Sequence, residues 1–291
     1  MTLLAVLLLV LEASHVLTIF AVGLEAPLHA GATLLREPRQ LLRVLASMSL
    51  VMPALAVLAI ASFDLLPAVK LALVALAVSP VPPLILHRKH EERHYPMALF
   101  LTTCILAPVL APLTFRAAAW AVNKSSLIAE AHLFPHVALA IVAPLLGGWG
   151  LRRLAPSAQR AARPISMVAN WGLVASIPPI LVLAWPSVVE LAGNGTFIAF
   201  AVFAAIGLLV GHLLGGPGLE RRGALALATA CRHPGIAVVL AHESFPGEKV
   251  AGPAVVAYVM VSVIVALPYA RWERHKKLGL SSSAAGAPGH V

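Results

Sequence analysis

The chain has 291 residues, of which 60% are hydrophobic and only 11% are charged, so it has too little polar surface to clothe a water-soluble globule. Lipid is therefore the expected solvent for most of it. A formal net charge of +9 raises nucleic acid as a partner, but where the basic residues fall reports membrane topology instead.

Stretches of roughly 20 apolar residues, the length that crosses a bilayer, recur at 2–23, 41–62, 67–87, 97–118, 128–150, 165–186, 195–214, 223–242 and 250–270. The expected fold is an all-α integral membrane protein of about nine spans, one polytopic domain over 1–277. The first span lacks a basic start and carries Glu12 and His15, so it reads as a span rather than a removed leader. The second contains Met52-Pro53, and the third is interrupted by Ser79-Pro80-Val81-Pro82-Pro83. In the fourth, Thr102 and Thr103 are either oxygen ligands for an alkali ion or bonded to their own helix. The outer end of the fifth carries His132 and His136 near Glu130, but zinc needs a further ligand and none is evident, so these read as interfacial polar residues. Asn170 in the sixth lines a cavity or pairs across helices. The eighth places Thr229 one turn before the interruption Arg232-His233-Pro234-Gly235. Cys104 and Cys231 lie within apolar stretches, with neither disulfide nor metal-ligand spacing. Residues 278–291 are small and polar and read as a disordered tail.

Sixteen of the 21 Lys and Arg residues fall in alternate connections, at 36–43, 88–93, 152–163, 221–222 and 271–277. The positive-inside rule then places the N-terminus outside and the C-terminus in the cytoplasm, in an inner or plasma membrane. No nucleic-acid partner follows, and the oligomeric state is not legible. There is no hydrolase elbow, Walker loop or dinucleotide glycine pattern, and Gly215-Gly216-Pro217-Gly218 is too tight a turn to cradle phosphate, so an enzyme is not expected.

In hydrocarbon every backbone N–H and C=O must be paired inside the protein, so an interrupted span lines a cavity or packs on protein. The two interruptions are five spans apart, and an odd offset means that the broken helices cross in opposite directions. That is the pattern of inverted repeats, here roughly 1–120 and 125–277, whose interrupted helices meet at a midplane site. A charge at that depth costs at least ~2.5 kcal/mol, which makes Arg232 the leading site candidate. His233 beside it either accepts a proton or hydrogen-bonds a freed carbonyl. With the amides around Pro234 and Gly235, and with Ser79, Pro82 and Asn170 nearby, Arg232 would favour an anionic group. The expected function is secondary transport of a small organic anion. The rivals are an efflux carrier or antiporter of a related fold, and a non-transporting sensor or scaffold.

Several segments together resemble the bile acid:sodium symporter family in its nine-span form. They are Phe20-Ala-Val-Gly-Leu24, Met52-Pro53, Ser79-Pro80, Pro108-Val-Leu-Ala-Pro112 and Ala226-Leu-Ala-Thr-Ala230 followed by Arg-His-Pro-Gly. The resemblance implies inverted repeats, panel and core subdomains, and two crossing broken helices around ion sites; Thr102, Thr103 and Thr229, read from the residues themselves, are the candidate ion ligands. The chain departs from the family at the sodium ligands. Ala228, Arg232 and His233 replace a Glu and a Gln-Asn pair, and Val81 to Leu86 replace a Gly-Gly-Thr-Ala-Ser-Asn run. Arg232 puts a fixed positive charge where a cation otherwise sits, which argues against sodium coupling by the family's route. Proton coupling through His233, anion exchange and uniport are the alternatives.

Overall fold

The computed structural model describes residues 3–26, 33–79, 94–121, 138–192, 194–232, 237 and 251–285. Among these all regular structure is helical. In chain order the helices are α1 (Leu3–Glu25), α2 (Pro38–Ser62), α3 (Pro67–Val78), α4 (His94–Ala121), α5 (Ala143–Leu154), α6 (Ala162–Glu190), α7 (Thr196–Leu214), α8 (Leu219–Ala230) and α9 (Ala251–Ala285). Among the described residues five stretches are long and apolar enough to cross a membrane, at 38–62, 94–118, 156–190, 196–214 and 252–277. The chain is a helical membrane protein. The last helix runs through Ala285 and so includes the first eight residues of the segment 278–291.

Proline shapes two of these helices. A π-turn at Ala46–Val51 stands just before Pro53, and another at Ala138–Val142 stands just before Pro144. A proline has no N–H, and its ring pushes away the carbonyl four residues back. Widening the preceding turn relieves that clash.

The helices fall into two packed groups. In the first, α1 lies between α5 and α6 at backbone contact: a Cβ on Gly148 would come within 2.3 Å of the Phe20 carbonyl oxygen, and one on Gly23 within 2.5 Å of the Leu145 carbonyl oxygen. Helices in lipid associate by such small-residue approach, because apolar burial alone gives them no preference over lipid. Arg152 Nη1 and Trp149 Nε1, from α5, donate to the carbonyls of Glu25 (2.8 Å) and Ala26 (3.1 Å) and close the end of α1. In the second group, α7 packs on α8 and α9, α9 on α3, and α3 on α2 and α4. Gly211 plays the same part here, with a built Cβ only 2.5 Å from Ala226 Cα.

Two helices, α3 and α8, are enclosed, whereas the equally short α5 is not. α3 and α8 have 12 residues each, about 18 Å of helix against a hydrocarbon core of ~30 Å, so neither crosses alone. Ala68, Val69, Ala72, Leu73 and Ala75 to Val78 of α3 are buried, as is every residue of α8 from Gly223 to Ala230. Lipid cannot satisfy the open backbone of an interrupted helix, so protein must surround it. The long helix α6 does the reverse and turns Val168, Trp171 and Val182 outward.

Candidate functional site

Both enclosed helices end in the same way. α3 closes with Ser79 N–H donating to the Ala75 carbonyl (3.0 Å), and α8 with Cys231 N–H donating to the Leu227 carbonyl (2.8 Å). Ser79 and Cys231 then turn to extended backbone. The interruptions read in the sequence at Ser79-Pro80 and ahead of Arg232 are thus the observed helix ends.

Prolines leave three of the carbonyls at this centre without a donor in their own helix. In helical register the donor for Ser79 O would be the N–H of residue 83, and for Ala230 O that of residue 234. In the i→i+5 register of the α2 π-turn, the donor for Met48 O would be residue 53. All three are proline and have no N–H to give.

Side chains from elsewhere in the fold close all three positions. Arg232 Nη1 donates to Ser79 O and Nη2 to Met48 O, each at 2.9 Å. Tyr258 Oη, from α9, donates to Ala230 O at 2.7 Å. The Tyr258 ring is held edge-on by Phe200 (centroids 5.6 Å apart) and Phe203 (5.9 Å). Leaving a buried carbonyl open costs about 1–3 kcal/mol, and hydrogen bonds from charged donors return ~1.5–3 kcal/mol each. Those two bonds offset the cost of bringing a guanidinium into the membrane interior.

Arg232 is only 2% exposed and, among the described residues, no carboxylate pairs with it. Its Nε and the hydroxyl of Ser79 are both buried without a hydrogen-bond partner among the described residues. Next to this centre, Ser47 Oγ and Thr229 Oγ1 share a hydrogen bond of 2.7 Å, tying α8 to the π-turn of α2. The site therefore comprises Ser47, Met48, Ser79, Thr229, Arg232 and Tyr258.

The structure brings Ser79, Thr229 and Arg232 together. Pro82, His233, Pro234 and Gly235 lie outside the described residues, as do Glu130, His132 and His136. Asn170 is half-buried on α6, which packs on α1 and α9 rather than on α3 or α8. Thr103 Oγ1 donates to Leu99 O and Phe100 O, both at 2.9 Å, the second of the two roles open to it; Thr102 is buried beside it in α4. On α1, His15 faces inward while Glu12 is exposed, so the pair does not converge. Among the described residues no three His, Cys, Asp or Glu side chains cluster as a metal site would require.

Sequence reasoning missed Ser47, Met48 and Tyr258. Counting four back from Pro83 and Pro234 would have found Ser79 O and Ala230 O, but Met48 O needs the wider register of the π-turn, and no local pattern marks Tyr258 as a cap. An apolar groove of about 800 Å³ between α2 and α4, lined by Leu42, Leu50, Pro53, Leu58 and Leu113, includes none of the site residues.

A second polar cluster joins the starts of α2, α4 and α8. Arg221 forms a forked pair with Glu37 (2.5 and 3.0 Å) and lies over the Tyr95 ring, 5.3 Å from its centroid. The hydrogen bond to Glu37 holds the Arg221 guanidinium still more firmly protonated than usual. Gln40 Nε2 donates to Tyr95 Oη (2.7 Å) and to Gly215 O (2.9 Å). The α7–α8 turn reaches Gln40 because Gly216 and Gly218 take positive φ, 84° and 88°, which glycine adopts without strain.

No protein-family model matches the chain, and no curated protein matches it.

Proposed function

We propose that this chain is a secondary transporter that carries a small organic anion by alternating access, with the meeting of α3, α8 and the α2 π-turn as its centre. One observation carries the reading: a buried guanidinium with no carboxylate partner among the described residues stands where two interrupted helices end. In a low-dielectric interior an uncompensated cation attracts an anionic group, and interrupted helices are the usual frame of a midplane transport site.

The equal lengths and matching ends of α3 and α8 support two inverted repeats. The sequence resemblance to the bile acid:sodium symporter family supports the same architecture, with nine spans and the N-terminus outside. The Glu37–Arg221 and Gln40–Tyr95 contacts lie at the Arg-rich end, the cytoplasmic one by the positive-inside rule. They join elements that would have to separate when the site opens inward.

The test is flux. Purified protein in liposomes, offered a panel of radiolabelled carboxylates and sulfonates, is expected to accumulate at least one of them when an inside-positive potential is imposed. Well-folded protein that moves none of the panel in either direction would leave the sensor or scaffold reading in its place.

A further inference from the structure

We infer that the Arg232 guanidinium is a built-in cation that takes the place of a coupling ion, so that the conformational cycle of this chain needs no alkali cation. The carbonyl end of a helix carries partial negative charge. The ends of α3 and α8 both arrive at Arg232: Ser79 O belongs to the first, and Arg232 itself leaves the second. Met48 O supplies a third negative dipole from the π-turn. Carbonyls released from interrupted helices in this way are what hold sodium or a proton in carriers of broken-helix design.

Here a tethered cation already holds them, at 2.9 Å on each side. A diffusible ion leaves when the site opens, whereas Arg232 cannot. The positive charge therefore stays with the protein in every state of the cycle, and sodium meets an unfavourable field at this place. Removing the side chain would leave Met48 O, Ser79 O and the unpartnered Ser79 hydroxyl around a vacancy that suits a small cation.

The experiment follows the thermal unfolding midpoint of detergent-purified protein by tryptophan fluorescence, and needs no substrate, so a failed flux assay leaves it unaffected. The wild-type midpoint is expected to be the same in sodium, potassium and choline chloride at matched ionic strength. Arg232→Ala is expected to unfold several degrees lower. Low-millimolar guanidinium should return most of that loss, rising with the logarithm of concentration as a bound ligand does, while urea, its neutral analogue, should return none. A saturable rise of the wild-type midpoint in sodium overturns the inference without recourse to any variant. So does an Arg232→Ala protein that folds but responds to neither guanidinium nor an alkali ion.

Discussion

Replacing Tyr258 by Phe removes one oxygen and keeps the ring that Phe200 and Phe203 hold edge-on. The loss is thus confined to the 2.7 Å hydrogen bond to Ala230 O. Two magnitudes compete. Side-chain hydrogen bonds between membrane helices average only ~0.6 kcal/mol, because the separated helices find other partners. A buried acceptor left open costs about 1–3 kcal/mol. The second should win, because the carbonyl belongs to a helix end where Pro234 offers no N–H and Tyr258 is fully buried against it. At ~2–4 °C per kcal/mol, the scale for chains of about this size, the midpoint should fall by roughly 2–12 °C. The assay is thermal unfolding in detergent at fixed lipid content, with wild type beside Tyr258→Phe. A fall of under about 1 °C, less than the ~0.6 kcal/mol average would give, would show that Ala230 O has another donor and refute the capping argument.

Gly211→Ala puts a methyl group 2.5 Å from Ala226 Cα and from the Leu225 carbonyl, backbone that cannot turn aside. It should cost about 1–3 kcal/mol by overpacking. Gly150→Ala meets nothing within 4 Å and should leave the midpoint unchanged or raise it through helix propensity; equal effects from the two would contradict the close approach of α7 and α8. The Glu37–Arg221 pair is about one-third exposed on each side, so Glu37→Gln should cost no more than ~1 kcal/mol, and less at high salt. A larger, salt-independent loss would mean that water does not reach this cluster.

Composition alone required lipid as the solvent, and spans of about 20 apolar residues located the helices; the observed α2, α6 and α7 fall within a few residues of that reading. Chain chemistry also fixed where helices would stop. α3 stops directly before Pro80, and Pro53 widens α2, because proline lacks an N–H and its ring displaces the carbonyl behind it. Four residues back from Pro83 and Pro234 lie Ser79 and Ala230, two of the carbonyls left open; Met48 joins them only through the wider register of the π-turn. A one-dimensional pattern carries that much because each carbonyl and its absent donor are only four or five residues apart. What closes those carbonyls is not local. Arg232 lies 184 residues from Met48 and 153 from Ser79 in the chain, and Tyr258 reaches Ala230 from another helix. Sequence reasoning could mark Arg232 as a charge in need of partners; it could not tell carbonyl oxygens of two other helices from a bound anion. Tertiary packing made that choice, by bringing α3, α8 and the π-turn of α2 within reach of one guanidinium in a medium that has no water to offer instead.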